Sequence, residues 1–280
     1  MNSKFRIGSW KYDSWKGLVY PDFGEFNYLE EYAKHYNTVE IDQWFWSLHG
    51  KKVTLPNRSV VKEYNSSTPE DFKFTIKAPN SLTLTHHYKS TEPNRHFLSP
   101  DLMENFLSSL EGIKSKVGML MFQFEYLNKQ KMPSYKKFEK QFSHFRNFVN
   151  SDIPIGIEIR NPNYLHERFF AFLNDINVAP VLLQGYYMPQ ITEVYEKYKT
   201  FINNSVVIRL HGYDRKAIEE KTNKIWSTIV DPKDSELASI VNVFIELLEK
   251  EVELYANINN HYEGSAPLMI KKINSLSKQL

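Results

Sequence analysis

The sequence predicts an α/β fold, a single-domain (β/α)8 TIM barrel that spans residues 1–280. Short apolar or β-branched runs alternate with longer amphipathic runs, which is the pattern of strand–helix units around a parallel sheet. Eight runs of the first kind occur, and eight parallel strands can close into a barrel that leaves no strand edge unpaired. The length suits one large domain, and no linker or repeat marks a second. An open doubly wound sheet is the alternative fold.

The predicted strands are short and rich in Val, Ile, Leu and Phe. In chain order they are "FRIGS" (5–9), "TVEID" (38–42), "KFTIKA" (73–78), "GMLMFQF" (118–124), "GIEIR" (156–160), "APVLLQ" (179–184), "VVIRLHG" (206–212) and "VELYANIN" (252–259). The predicted helices carry apolar residues three and four positions apart. They include "FNYLEEYAKHY", "LMENFLSSLEGI", "YKKFEKQFSHFRNFV", "ERFFAFLNDI" and "ELASIVNVFIELLEK".

Two connections are longer than a barrel requires. They are "PNSLTLTHHYKSTEPNRHFLSP" (79–100), after the third strand, and "YDRKAIEEKTNKIWSTIVDPKD" (213–234), after the seventh. Each follows the carboxyl end of a strand, the face on which barrels of this class build their sites. We therefore expect a site on this face.

The run "GIEIR" carries two charges inside an apolar strand. Side chains alternate between the faces of a strand, so Ile157 and Ile159 point one way while Glu158 and Arg160 point the other. The isoleucines suit the layer between strands and helices. Glu158 and Arg160 are therefore predicted to point into the barrel near its C-terminal mouth.

The same alternation predicts inward polar side chains near the ends of most other strands. The predicted ring comprises Glu40, Asp42, Thr75, Lys77, Gln123, Glu158, Arg160, Gln184, Arg209, His211, Asn257 and Asn259. Buried charge is costly, and branched aliphatic residues would serve a core at least as well, so a converging ring favours a ligand site. A buried network whose members satisfy one another is the alternative.

The charges of this ring nearly cancel, and a histidine that titrates near neutrality accompanies them. A pocket of this kind suits a small polar or singly anionic ligand held by arginine and carboxylate pairs, rather than a polyphosphate.

Composition restricts the class of protein. Hydrophobic residues make up 41% and charged residues 24%, as in globular proteins. A net charge of +2, from 35 basic and 33 acidic residues, argues against nucleic acid or membrane as the main partner. The chain contains no cysteine, which excludes disulfides and thiolate chemistry. With no secretory leader or membrane-spanning run in the sequence, a cytoplasmic location is expected.

Several catalytic signatures are absent from the sequence. The glycines form neither a phosphate-binding loop nor a dinucleotide fingerprint, and no Gly-x-Ser-x-Gly motif occurs. No His-x-His or His-Glu-x-x-His spacing is present, and interleaved Lys and Arg would repel a cation. We therefore predict no cofactor and no metal ligand.

Seven stretches in order resemble one known family. They are "IGSWKYDSWKGLVYP" (7–21), "TVEIDQWFWSL" (38–48), "TPEDFKFTIKAPNSLTLTHHY" (68–88), "FQFEYLNKQKM" (122–132), "IEIRNPNYL" (157–165), "VIRLHGYDR" (207–215) and "NINNHYEGSAP" (257–267). The chain resembles the YecE-like proteins, the domain-of-unknown-function 72 family, along almost its whole length. The resemblance implies a TIM barrel and supplies no activity. This chain is shorter than the family pattern between Gly8 and Trp10.

The resembled motifs add residues on the same face of the barrel. Trp10, with Trp15, Trp44 and Trp46, could stack on a sugar or base or form a hydrophobic lid. His86 enters the candidate site through the motif "TLTHHY". Near the last strand, Ser265 is predicted to cap the final helix and Pro267 to stand in its first turn, where free N–H groups could also bind an anion.

The sequence therefore predicts an enzyme that uses acid–base chemistry at the barrel mouth. The predicted catalytic residues are Glu158, His211 and Glu40, and the predicted ligand-binding residues are Arg160, Arg209, Lys77, Gln123, Asn257, Asn259, Trp10 and His86. In a glycosidase version, Glu40 and Glu158 form the carboxylate pair. Three alternatives stay open: a non-catalytic small-ligand protein, a nucleic-acid binder, and a divalent-metal hydrolase or isomerase built on Glu40, Asp42, Glu158 and His211.

Overall fold

The computed structural model describes residues 5–7, 10–149 and 152–278, and residues 5–7 by their backbone alone. Eight parallel strands form a closed barrel, which confirms the predicted fold. The barrel strands are β1 (Phe5–Ile7), β2 (Thr38–Ile41), β5 (Lys73–Lys77), β6 (Val117–Gln123), β7 (Ile155–Glu158), β8 (Ala179–Gly185), β9 (Ser205–Gly212) and β10 (Glu253–Ile258). Their order around the barrel is β1-β10-β9-β8-β7-β6-β5-β2, and pairing of β1 with β2 closes the ring.

All eight barrel strands lie where the alternating runs predicted them. The end of the first predicted strand, Gly8 and Ser9, lies outside the described residues, and so does the shortened loop that begins there. One sheet was not predicted: a small hairpin of β3 (Leu48–His49) and β4 (Lys52–Val53) follows β2. Strands of two residues are too short to leave a periodic signal in the sequence.

The helices pack outside the barrel. They are α1 (Tyr28–Ala33), α2 (Arg58–Ser66), α3 (Asn80–Thr83), α4 (Pro100–Ser109), α5 (Tyr135–Phe148), α6 (Glu167–Asp175), α7 (Ile191–Tyr198), α8 (Arg215–Thr222), α9 (Asp234–Glu249) and α10 (Ala266–Leu276). Both long connections contain helices: α3 opens the first and α8 lies within the second. Among the described helices, none has both the length and the apolar character needed to cross a bilayer.

Helix α5 shows how the sequence sets these elements. The Ser134 hydroxyl accepts a hydrogen bond from the Lys137 backbone N–H at 3.2 Å and so caps the first turn. Phe138, Phe142 and Phe145 recur at helical spacing and are buried. This stripe fixes the face of the helix that packs on the barrel, where Phe122 of β6 meets Phe142 edge to face with ring centroids 5.9 Å apart.

The lower part of the barrel interior is an apolar plug. It consists of Met119, Met121, Ala179, Val181, Val207 and Tyr255, all buried. Gly156 belongs to this packing, since an added Cβ would stand 3.0 Å from a methyl carbon of Val181 and 3.2 Å from the sulfur of Met119. The plug fills the barrel below the predicted ring, so the polar side chains can reach solvent only through the C-terminal mouth.

The pairing of β8 with β9 corrects one predicted ring member. Gln184 pairs with Leu210, whose side chain belongs to the core outside the barrel, whereas Leu183 pairs with the inward Arg209. The inward assignment of Gln184 was therefore wrong. Its amide oxygen instead accepts a hydrogen bond from the Ile191 N–H at 2.8 Å, at the start of α7. Both faces of "APVLLQ" are apolar, so alternation alone does not reveal which face is inward.

Candidate active site at the barrel mouth

Arg209, on β9, is the centre of the polar ring and is buried. Its Nε and Nη2 donate to the two carboxylate oxygens of Glu40, at 3.1 Å and 2.6 Å. Its Nη1 donates to Glu158 and, at 3.1 Å, to the side-chain oxygen of Gln123. The planar guanidinium thus joins β2, β6 and β7 to β9 through a fork that lysine could not supply.

Asn257 completes this group from β10. Its amide nitrogen donates to Glu40 Oε2 at 2.5 Å and lies 3.5 Å from the Thr75 hydroxyl. We call the set Glu40, Gln123, Glu158, Arg209 and Asn257 the ion-pair layer. Its members bind one another, as the alternative of a buried network expects, except that the side-chain oxygen of Asn257 is buried without a hydrogen-bond partner among the described residues.

The ion-pair layer holds its charges firmly. Burial would raise the pKa of Glu158, but the positive charges of Arg160 and Arg209 outweigh burial and lower that pKa to about 2. Burial likewise opposes the charge of Arg209, yet Glu158 and Glu40 raise its pKa above the ordinary arginine value. Glu158 is therefore a carboxylate at neutral pH and a weak base.

Three further side chains lie on the solvent side of this layer and form what we call the mouth layer: Lys77, Arg160 and His211. Arg160 follows β7 and is partly buried, with its Nε 2.5 Å from Glu158 Oε1. No described residue accepts a hydrogen bond from its two terminal nitrogens. These nitrogens are free to bind an anion in the bidentate way that suits a carboxylate.

Tyr186, which the sequence did not predict as a site residue, lies beside two members of the mouth layer. Its ring centroid lies 5.0 Å from the Arg160 guanidinium carbon and 6.1 Å from the His211 ring. The backbone here is unusual, with φ of +134° at Gly185 and +54° at Tyr186. A Cβ on Gly185 would come within 2.2 Å of the Gly212 carbonyl oxygen, so only glycine permits this crossing. Glycines at the ends of two adjacent strands were the available signal.

His211 is held uncharged. Burial, followed by the charges of Arg209, Arg160 and Lys77, lowers its pKa well below the usual range. Within the described chain, its ring contacts Tyr186 and has no hydrogen-bond partner. A neutral imidazole with free nitrogens can accept or relay a proton at pH 7.

Lys77 and Asp42 flank the same mouth. The Lys77 amino nitrogen lies 4.3 Å from the centroid of the Phe45 ring. Burial and the charge of Arg209 lower its pKa, against the opposing influence of Glu40, Glu158 and Asp42. Asp42 is exposed just beyond β2, and partial loss of hydration, with the charge of Glu40, raises its pKa.

Three predicted site residues make their described contacts elsewhere. Trp10 is buried in the core, edge-on to Tyr64 at 5.2 Å, as the hydrophobic-lid alternative expects. The His86 Nδ1 lies 2.9 Å from the Thr85 hydroxyl. The side-chain oxygen of Asn259 lies 2.6 Å from His261 Nδ1. Their roles in a site stay predictions.

The other tryptophans and the last helix give mixed outcomes. Trp15 and Trp44 are buried in the core, while Trp46 is 69% exposed. Ser265 stands at the N-cap position of α10 without a side-chain capping bond, so its predicted cap was wrong in detail. The Asn260 side chain accepts from the Ala266 N–H at 2.8 Å instead. Pro267 lies in the first turn, as predicted.

A sequence profile of the family described as "Protein of unknown function DUF72" matches residues 5–279. The chain belongs to this family. The Escherichia coli K12 protein named "UPF0759 protein YecE" is 26% identical over 137 residues, which cover 49% of this chain and 42% of that protein. The match thus spans less than half of this curated relative.

Solved structures of the family show the same fold. A DUF72 family protein from Enterococcus faecalis V583 superposes with a TM-score of 0.71 at 19% identity, covering 98% of this chain and 95% of that one. A DUF72 family protein from Thermotoga maritima MSB8 gives a TM-score of 0.68 at 19% identity, covering 98% of each chain. The family predicted from the seven motifs is therefore confirmed.

Proposed function

We propose that this protein is an enzyme that binds a small, singly anionic polar substrate on Arg160 and moves a proton with His211. The observation that carries the proposal is that two groups stand together at the mouth. One is the uncharged imidazole of His211, which has no hydrogen-bond partner among the described residues, and the other is Arg160, whose terminal nitrogens have no described acceptor. Both stand on the face of the barrel where active sites of this fold lie. The ion-pair layer supports them from below.

Within this proposal the predicted catalytic residues take different roles from one another. Glu158 interacts with two arginines and has a pKa of about 2, so it suits positioning better than proton transfer. Glu40 receives two hydrogen bonds from Arg209 and one from Asn257. His211 is the member of the predicted catalytic set that is free to exchange a proton.

Two alternative chemistries receive less support. A glycosidase needs one carboxylic acid with a raised pKa, and Glu158 has a lowered one. A divalent metal on Glu40 and Glu158 would compete with Arg209 for the same oxygens. Across the described ranges, no group of three or more His, Asp or Glu is arranged to hold a metal ion.

The test is thermal unfolding at pH 7 with and without a panel of small carboxylic acids, since a ligand of the native state raises the midpoint. We expect a rise for the wild type that is lost in Arg160→Gln. The matched control is Arg215→Gln, which removes an exposed arginine paired with Glu219 on α8 and should keep the rise.

Turnover is then tested with the acids that bind. We expect His211→Asn to keep the ligand-dependent rise in midpoint and to lose turnover. Binding without turnover in the wild type, across every acid that binds, would instead assign the mouth to a non-catalytic binding protein. No rise with any acid in the panel would count against the anion site.

A further inference from the structure

Lys77 is half-buried at the mouth, and no described residue accepts a hydrogen bond from its amino group. It is the last residue of β5 and pairs with Met121 of the plug, which places its side chain inside the barrel. The Phe45 ring covers the amino nitrogen at 4.3 Å, and no described oxygen lies within ion-pair or hydrogen-bond distance of it. The side chain is neither fully buried nor exposed, so a small molecule can reach it.

Two other lysines show how unusual this placement is. Lys73, at the other end of β5, donates to the Ser115 carbonyl at 2.7 Å. Lys116 is buried, and its amino group donates to the carbonyls of Asn65 and Thr68, both at 2.8 Å. A lysine ammonium removed from water ordinarily finds such oxygens. Lys77 instead has an aromatic face and the neighbouring charge of Arg209.

The surroundings of Lys77 make its amino group easier to deprotonate than that of a lysine in water. Loss of hydration and the charge of Arg209 lower its pKa. Glu40, Glu158 and Asp42 act in the opposite direction, and the first two also bind Arg209. A neutral lysine amine in such a setting is a nucleophile toward carbonyl carbon.

From this geometry we infer that Lys77 forms an imine with the substrate, and that the substrate is an oxo acid. The inference rests on the proposed function, because the carboxylate of the oxo acid would bind the free nitrogens of Arg160. It adds a covalent step and a chemical class of substrate to that function.

The step balances without any added oxidant or cofactor. The Lys77 lone pair forms a bond to the carbonyl carbon, giving a carbinolamine. The carbon–oxygen bond then breaks, and the oxygen leaves as water after taking one proton from the nitrogen and one from an acid. Asp42, whose pKa is raised, is the candidate acid.

The product of that step is a protonated imine, which is an electron sink. When a bond to the adjacent carbon breaks, its electron pair moves toward the imine nitrogen. His211 would take the released proton if that bond is C–H. The bond cleavage leaves an enamine, which takes up a proton on carbon and so becomes an imine again. Hydrolysis of that imine returns the carbonyl product and the free amine, so the lysine is regenerated.

The test is reductive trapping of the full chain with sodium cyanoborohydride at pH 7, followed by peptide mass spectrometry. One arm uses formaldehyde, which needs no recognition by Arg160, and the other uses pyruvate. We expect formaldehyde to label Lys77 faster than Lys73, and pyruvate to label Lys77 selectively. Lys77→Arg should abolish the pyruvate adduct, while the matched control Lys73→Arg should leave it unchanged.

The formaldehyde experiment tests whether Lys77 forms an imine, and the pyruvate experiment tests whether the substrate is an oxo acid. Labelling of Lys77 by formaldehyde no faster than Lys73 would overturn the imine-forming role, and this result needs no variant to fold. Preferential formaldehyde labelling with no pyruvate adduct at Lys77 would overturn the oxo acid as substrate.

The same experiments distinguish this inference from the proposed function. If small acids raise the unfolding midpoint through Arg160 but Lys77 forms no adduct, the imine fails and the anion site stands. If Lys77 is trapped by pyruvate equally well in the wild type and in Arg160→Gln, the amine stands and the anion site fails.

Discussion

The ion-pair layer and the mouth layer lie one above the other in the same barrel, but their charged groups differ in whether they have partners within the protein. Arg209 in the ion-pair layer has hydrogen-bond acceptors for three of its nitrogens. In the mouth layer, the terminal nitrogens of Arg160 and the amino group of Lys77 have no hydrogen-bond acceptor among the described residues. Glu158 and Arg160 are two residues apart and fall on either side of this division.

Whether a buried charged group has a partner within the protein helps to decide between a structural role and a ligand-binding role. A buried ion pair is expensive to desolvate, and its mutual satisfaction is sufficient reason for its geometry. Half-buried polar groups that have no partner within the protein can instead bind a ligand that enters through the mouth. We therefore interpret the ion-pair layer as structural support and expect binding and chemistry at the mouth layer.

The largest expected effect comes from breaking the ion-pair layer. Arg209→Met leaves Glu40 and Glu158 buried without their shared cation, and we expect a loss of about 3–5 kcal/mol in the free energy of unfolding. Urea titration measures it. Arg215→Met, at an exposed pair on α8, is the control and should cost less than about 1 kcal/mol. A near-neutral Arg209→Met would show that the layer is not a structural support.

A smaller loss is expected where the backbone positions Tyr186. In Gly185→Ala the new methyl meets the Gly212 carbonyl oxygen at an unfavourable φ, which should cost about 1–3 kcal/mol. Gly24→Ala is the matched control, because φ is also positive there but no atom lies within 4 Å of the added carbon. Equal losses in the two variants would remove the argument for a tight strand crossing.

The pH dependence of stability tests the uncharged state of His211. Its folded pKa is lowered, so below about pH 6.5 the unfolded chain binds the proton that the folded protein refuses. Stability should therefore fall as the pH drops through this range, and His211→Asn should flatten part of that slope. The control is His49→Asn, at an exposed hairpin residue. If the pH dependence of stability were the same in the wild type and in His211→Asn, the pKa of His211 in the folded protein would not be lowered and this prediction would be wrong.

The smallest expected change in stability belongs to Arg160→Gln. Glu158 keeps Arg209 as a partner, and Arg160 is partly exposed, so we expect a loss of about 1 kcal/mol in urea titration. The same variant should lose the stabilisation by small acids. If Arg160→Gln cost as much as Arg209→Met, Arg160 would belong to the ion-pair layer and the division would fail.

Much of this molecule was readable from its sequence. Alternation in "GIEIR" and "VVIRLHG" placed Glu158, Arg209 and His211 on the inner face, because side-chain direction in a strand is a local property. The number of strands predicted the closed barrel, and the seven motifs predicted the family.

Other features depended on which strands are neighbours. Alternation could not orient "APVLLQ", and the pairing of Gln184 with Leu210 settled it. Trp10 was an open choice between stacking on a ligand and packing in the core until its contact with Tyr64 was known. Tyr186 gave no periodic signal, since its position follows from a close approach between Gly185 and Gly212.

The sequence by itself determined that Glu158, Arg209 and His211 enter the barrel, and the tertiary structure alone decided which polar groups bind one another. Glu40 and Arg209 are 169 residues apart, so their hydrogen bonds exist only once the ring of strands has closed. The closure commits Arg209 to two carboxylates and leaves Lys77, Arg160 and His211 open at the mouth. The direction of a side chain in a strand is set by the local backbone geometry, whereas its hydrogen-bond partners are set by distances across the closed barrel.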